Sequence, residues 1–462
     1  MDEKKRTITY GGVAIGLALI AFIVNIPRTS TPEAFYDQGE LFFPEFTDPN
    51  EAQTLEVIDY NEETGTPIPF KVTFQDGIWT IPSHHNYPAD AEDRLAETAA
   101  GVIQVRKDDF RSDNVADHEA FGVIDPLDEA NTSLKGRGKR VTIKGTNDKI
   151  LADFIIGEKV EGRDNFRFVR IPGQKRVYAS RVDIDLSTKF SDWIDSDVLK
   201  VDKSAITEVI LRDYSINERT GVINQRDVIE LNKEGAEWAA NKMGADEEVD
   251  EDQMDDLLKA VDELSIVGVR PKPEGLSQSL TKDSDSMSLS QSDVLSLQSK
   301  GYYFTRDGQL VSNEGELQVR TKDGVIYTLR FGEIVSGSGL ALTAGTKSGD
   351  EDGVESDGED DKENRYLFIT TEFDPSQFPE PSEPKNTEFQ TKADSLWTDA
   401  DRRNKELFDE HEEWKEKVEK GKNLSQELNA RFAKWYYVIS SGSFDDIHVT
   451  RGDLIKKKEE DS

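Results

Sequence analysis

Two stretches of this chain repeat each other in the same order, and that duplication limits the fold more than any single motif does. The first reads Ala52-Gln53-Thr54-Leu55-Glu56-Val57-Ile58-Asp59-Tyr60, then Glu63-Thr64-Gly65. The second reads Ala205-Ile206-Thr207-Glu208-Val209-Ile210, then Asp213-Tyr214 and Arg219-Thr220-Gly221. After each come a strand-like run, a tryptophan (Trp79, Trp238), an amphipathic helix pattern and a Val-Arg pair (Val105-Arg106, Val269-Arg270). At 462 residues the chain is too long for one ordinary core. The repeat therefore predicts two modules of one architecture.

Within the first copy, Leu55 to Tyr60 and Phe70-Lys71-Val72-Thr73-Phe74 read as strands joined by a Gly/Pro loop. Pro82 and Pro88 block a helix until Asp90, a candidate N-cap, after which Leu95, Ala99 and Val102 share one helix face. Arg140–Lys144, Leu151–Gly157, Phe166–Arg170 and Arg176–Ala179 complete a run of short antiparallel strands. The second copy follows the same script. Asp250 caps a helix whose stripe is Met254, Leu257, Val261 and Leu264, and Gly315–Arg320, Val325–Glu333 and Arg365–Thr370 match the later strands. The expected fold class is α+β: two tandem repeats of an antiparallel-strand module with one amphipathic helix each.

The copies diverge after Thr370. The first has a short turn at Ile171 to Lys175, whereas the second runs on to Trp435-Tyr436-Tyr437-Val438-Ile439-Ser440. Leu407, His411, Trp414 and Val418 mark one helix there, and Leu424, Leu428, Phe432 and Trp435 mark another. Lys420-Gly421-Lys422-Asn423 reads as the join, so residues 390–434 are expected to be an inserted helical hairpin. Ser277 to Ser299 and residues 336–363, Ser-rich and acidic respectively, read as mobile loops.

Ahead of both copies, Ile8 to Ile26 carries no charge and is long enough to span a hydrocarbon core as a helix, roughly 28 Å. Lys4, Lys5 and Arg6 precede it, which puts the N-terminus in the cytoplasm and the bulk of the chain outside. No small-x-small cleavage site follows, so an uncleaved single-pass anchor is expected in place of a signal peptide. The resulting division is 1–27 cytoplasmic tip and transmembrane helix, 28–50 linker, 51–200 first repeat, 201–455 second repeat and 456–462 charged tail. In the linker, the aromatic patch Leu41 to Phe46 is expected to tuck onto the first module.

Chemistry is sparse. A formal net charge of −36 argues against nucleic acid as a partner, because a polyanion is repelled. The absence of cysteine removes disulfides, thiolate catalysis and Cys-based zinc sites. His84-His85 lacks further ligands at a useful local spacing and reads as a polar turn, while His411 reads as a packing residue on its stripe. Asp350 to Glu363 departs from the EF-hand order and reads as a solvated acidic loop. Asp192, Asp195 and Asp197 around Trp193 read as turn caps, and Arg451-Gly452-Asp453 as a chance tripeptide. Ser440-Ser441-Gly442-Ser443 lacks a nucleophile elbow and Gly136-Arg137-Gly138-Lys139 a phosphate-loop spacing. No catalytic residue, cofactor motif or metal-ligand set emerges. The best candidate for a partner surface is the inserted hairpin, through Trp397, Trp414, Phe432 and Trp435; packing against its own module is the competing role.

Several steps resemble the domain-of-unknown-function 4340 family of bacterial membrane-anchored proteins. These are Trp79 with Pro82, Pro88-Ala89-Asp90, Phe121-Gly122-Val123-Ile124-Asp125-Pro126, Ile155-Ile156-Gly157 before Phe168-Val169, Val177-Tyr178, and Trp435 to Ser440. The resemblance covers roughly residues 50 to 455, and the second copy lacks the Phe-Gly-x-x-x-Pro step. It implies an extracytoplasmic accessory role beside a gliding-motility-type ABC transporter auxiliary component, in a bacterial inner membrane. It supplies no catalytic residues. The expected function is a non-enzymatic accessory or scaffold with a protein partner in a transport or envelope complex. The alternatives are an extracytoplasmic hydrolase with a site between the repeats, and a structural spacer.

Overall fold

The computed structural model describes residues 36–195, 197–217, 222–281, 289–306, 308–335 and 363–458. The proposed membrane segment Ile8 to Ile26 and nearly all of the acidic insert lie outside them. Among the described residues, no helix is long and apolar enough to cross a membrane.

The first copy contributes β1 (Thr54–Asn61), β2 (Thr66–Gln75), β3 (Ile78–Ile81), β4 (Tyr87–Pro88), α1 (Glu92–Ile103), β5 (Asp109–Ser112), β6 (Lys139–Lys144), β7 (Ile150–Lys159), β8 (Phe166–Arg170) and β9 (Val177–Arg181). The second contributes β10 (Ile206–Asn217), β11 (Val222–Glu234), β12 (Glu237–Ala240), β13 (Glu247–Val249), α2 (Glu251–Asp262) and β14 (Gly268–Pro271). It continues with α3 (Glu274–Thr281), α4 (Gln291–Gln298), β15 (Tyr302–Phe304), β16 (Leu310–Ser312), β17 (Glu316–Thr321), β18 (Val325–Val335) and β19 (Asn364–Phe373). Last come α5 (Asp399–Phe432), β20 (Trp435–Ile439), α6 (Ser441–Ile447), α7 (Arg451–Leu454) and β21 (Ile455–Lys457). The class is α+β with antiparallel ladders, as the alternation predicts.

The duplication is written into the topology. One sheet runs β4-β3-β2-β1-β6-β7-β8-β9-β5, and the other β12-β11-β10-β17-β18-β19-β20-β14. From β3 and β12 onward the two orders coincide strand for strand. Their outer ends differ, because β4 extends the first sheet whereas its counterpart β13 pairs with β21 instead. Lys456 and Lys457 of the expected charged tail therefore lie in β21, and residues 459–462 of that tail are outside the described residues. The Val-Arg pairs are not equivalent: Val269-Arg270 lies in β14, whereas Val105-Arg106 ends before β5 begins.

A shared glycine step explains the family-like motifs physically. In the first copy Gly157 follows β7's apolar run, and a Cβ there would sit 2.2 Å from the Phe121 carbonyl oxygen. That carbonyl accepts from Glu158 N, and Gly122 takes a positive φ of 65°. The second copy reproduces the arrangement with other residues. A Cβ on Gly332 would sit 2.2 Å from the Lys300 carbonyl, which accepts from Glu333 N, and Gly301 has φ 83°. The Phe-Gly step that the second copy lacks in sequence is thus performed by Lys300-Gly301. The closest approach and the hydrogen bond are both made by backbone carbonyls, so the step does not depend on which side chain, Phe121 or Lys300, stands there.

By contact density the chain divides into two units. Among the described residues, one takes 36–52, Val57–Ile68 and Ala96–Asp185; the other takes Gln53–Glu56, Pro69–Leu95 and those from Leu186 on. In the first, Leu95's helix-mates Ala99 and Val102 are fully buried, and Phe43 packs on Phe154 while Phe42 meets Tyr178 edge-on. The linker's aromatic patch is thereby docked as expected. In the second, Met254, Leu257, Val261 and Leu264 are buried on α2, whose N-cap Asp250 accepts from Asp252 N and Gln253 N. Phe70, His84, Tyr87, Phe190 and Trp193 form an aromatic cluster in the same unit.

The Ser-rich segment is not simply a loop. Its ends form α3 and α4, and Leu276 and Leu297 enter a core with Tyr302, Tyr366, Phe368 and Tyr436. Two leucines set far apart among serines carry too little periodicity to reveal such short helices. Ser290 and Asp293 close a capping box that starts α4.

Candidate functional site

Residues 390–434 are not a helical hairpin. They contain one continuous 34-residue helix, α5, about 50 Å long. Its start is fixed by a capping box in which Thr398 Oγ1 accepts from Asp401 N and Asp401 Oδ2 accepts from Thr398 N. The expected join at Gly421 is buried helix interior: a Cβ there would meet the Asp323 carbonyl oxygen at 2.3 Å and Phe373 Cε2 at 2.5 Å. Glycine is a poor helix former, which is why the sequence suggests a break. Here it allows the helix to press against the β17–β18 turn.

The face that α5 turns inward changes character along its length. Ser425, Leu428 and Phe432 are buried near its C-terminus, whereas Asp401, Asn404 and His411 are buried toward its start. The C-terminal end is fastened by Lys272, whose Nζ donates to the Phe432 carbonyl at 3.0 Å and lies 3.8 Å from the Phe368 ring centroid. Burial pushes the Lys272 ammonium well below the ordinary lysine range.

The four residues singled out in the sequence do not converge. Phe432 is fully buried and meets Tyr437 edge-on. Trp397 and Trp414 are half-buried; their indole N–H groups donate to the carbonyls of Lys392 and Phe378 at 3.2 and 2.8 Å. Trp435 stands edge-on to Tyr87 beside a cleft of about 540 Å³ lined also by Asp90, Asp195, Arg431 and Lys434. These aromatics chiefly hold α5 to its own unit. The exposed face carries charge instead, with Glu406, Glu413 and Glu416 among its residues.

A proline-bearing strap, residues 374–398, lies along the first half of α5. Trp414 pins it at Phe378. Asn404 pins it at Lys385, accepting from its backbone N at 3.2 Å and contacting Asn386 Oδ1 at 3.3 Å. Lys392 closes the far end, 2.8 Å from Asp401 and 3.1 Å from Glu388. The hydrogen bond from Lys392, with those from Thr398, pulls the Asp401 carboxyl down to about 2. Between the Trp414 and Asn404 pins sits His411, buried, with Nε2 3.3 Å from Glu380 Oε1. Glu383 joins them, and one donor atom from each of the three lies within 4.8 Å of the others. Sequence reading missed this group because His411 is 31 residues from Glu380 in chain and shares no local spacing with either glutamate.

Other candidates resolve into structural roles. His84 is buried, stacks on Phe190 at 4.7 Å between centroids and lies 3.0 Å from Ser83 Oγ. Desolvation, helped by neighbouring His85 and Arg270, lowers it to about 4. Asp195 and Asp197 accept backbone N–H groups of the following turn, from Asp197 and Lys200. Arg451 is spent on Asp227, Val228 and Asn241, and Asp453 closes a capping box with Thr450, so the tripeptide is part of the fold. Ser440 caps α6 by accepting from Ser443 N.

Comparison with known families finds one match, to the domain of unknown function (DUF4340), over residues 79–279. It takes in Trp79, the Pro88-Ala89-Asp90 step and the Phe121 to Pro126 step, and runs from β3 into α3. This is narrower than the span expected from sequence, and leaves Trp435 to Ser440 outside. No curated protein and no solved structure gives a significant match.

Proposed function

We propose, of a chain whose residues 79–279 match the DUF4340 family, that it is a membrane-anchored extracytoplasmic accessory or scaffold of an ABC-type transport or cell-envelope system. The apolar segment Ile8 to Ile26, behind Lys4, Lys5 and Arg6, supplies the anchor and places the N-terminus in the cytoplasm. The observation that carries the reading is the addition of α5. Two sheets share one strand order, yet the connection from β19 to its paired neighbour β20 in the second carries a 34-residue helix where the first has a short turn. Its outer face is long, charged and well anchored from behind, which suits docking by a protein partner.

The test is chemical cross-linking and pull-down of the full chain from native membranes, against a Glu406→Lys, Glu413→Lys, Glu416→Lys variant. These side chains are exposed, so the variant keeps the fold. Loss of a transporter or envelope subunit from the variant supports the reading and locates the docking face. Recovery of no such subunit by the unaltered chain refutes it.

A further inference from the structure

We propose that Glu380, Glu383 and His411 hold one divalent transition-metal ion of the zinc class, which fastens the strap to α5. Three observations converge. First, the donors are already at metal-like spacing. Ligands around a tetrahedral zinc, at about 2.0–2.1 Å from the ion, sit about 3.4 Å from one another. His411 Nε2 and Glu380 Oε1 are 3.3 Å apart, and the third donor closes a triangle with no side beyond 4.8 Å.

Second, the arrangement brings together more acceptors than it has donors to satisfy. One imidazole N–H can serve one carboxylate, which leaves the second carboxylate facing the first. Like charges at such a separation repel by about 1 kcal/mol even in water, and by more beside a buried side chain. Among the described residues neither Glu380 nor Glu383 has a lysine or arginine within ion-pair distance. A cation at the centre of the triangle removes that repulsion.

Third, the group is held in place from both sides. Pro379, Pro381 and Pro384 stiffen the segment that carries both glutamates. Trp414 and Asn404 anchor that segment at Phe378 and at Lys385, and His411 lies on the same helix between them. Supporting contacts of this kind are what orient ligands at a metal centre. One nitrogen with two carboxylates suits zinc, manganese or iron; calcium prefers six to eight oxygens and no imidazole. Three protein ligands leave a coordination position for water or for a partner's carboxylate.

Zn2+ titration of the full chain by calorimetry, beside Glu383→Gln and His411→Asn variants, decides the matter. The expected result is one strong site per chain, weakened in each variant by more than the roughly 10–100-fold lost with an outer-shell partner. Zn2+ is also expected to raise the melting temperature of the unaltered chain and to leave that of Glu383→Gln unchanged. Glu383 is exposed, so its variant folds whether or not the histidine variant does. Zn2+ binding of equal strength in the unaltered chain and Glu383→Gln overturns the proposal, as does the absence of saturable binding at millimolar Zn2+.

Discussion

Replacing Gly421 by alanine tests the central correction to the sequence reading. In an exposed helix the change is worth about 1 kcal/mol of added stability, through propensity alone. In a loop joining two helices it is close to neutral or mildly stabilising. In the observed helix the new methyl would lie 2.3 Å from the Asp323 carbonyl oxygen and 2.5 and 2.9 Å from two Phe373 ring atoms. Ordinary contact needs roughly 1 Å more on each, and the closest atom is backbone in a turn between two paired strands. Overpacking of that kind costs about 1–3 kcal/mol, and the rigid neighbour puts it at the upper end. After the propensity gain, a net loss of about 1–2 kcal/mol remains. For a unit of about 300 residues that is a fall of about 2–3 °C in the melting transition. Scanning calorimetry on the full chain, with exposed Lys420→Ala as a control, reads it directly. Hydrogen exchange across residues 416–428 should quicken in Gly421→Ala and not in the control. A transition that stays put or rises would refute the close approach of α5 to the β17–β18 turn.

Two further outcomes concern pH. His84, lowered to about 4, stays neutral in the folded chain while an unfolded histidine takes up a proton near 6.5. Its contribution to stability is complete above pH 6.5 and falls as pH drops toward 4; in His84→Phe, melting temperatures across that window should flatten. Asp401, lowered to about 2, works in a different window. The stability it confers is present above about pH 4 and is lost as pH falls toward 2, so the melting gap between the unaltered chain and Asp401→Asn should close over that interval. A gap that persists to pH 2 would mean that the carboxylate's charge does not matter to the start of α5.

What could be read from sequence was whatever repeats or alternates. The paired runs from Leu55 and from Ile206 announced two sheets, and these share a strand order. Leu95, Ala99 and Val102, and Met254, Leu257, Val261 and Leu264, kept to the buried faces their spacing implied. What was hidden depends on through-space contact. Gly421 looks like a helix breaker until Asp323 and Phe373 are placed beside it. Lys300-Gly301 resembles Phe121-Gly122 only in what its backbone does. The Glu380, Glu383 and His411 group forms only when the strap folds back along the helix. Leu276 and Leu297 needed Tyr302 and Phe368 to explain their burial.

The placement of α5 also sets a timetable for synthesis. In the second sheet β14 pairs with β20 alone, and about 160 residues separate the two in chain. In the first sheet β5 waits for β9 across a gap of only about 65 residues. At a synthesis rate of about 5–20 residues per second, the edge at Gly268–Pro271 stays unpaired for roughly 10–30 s after it emerges. During that interval β19, already laid against β18, also lacks its neighbour on the other side. A nascent chain in this state presents two open strand edges in succession, and these are where a holding chaperone would gain most by binding.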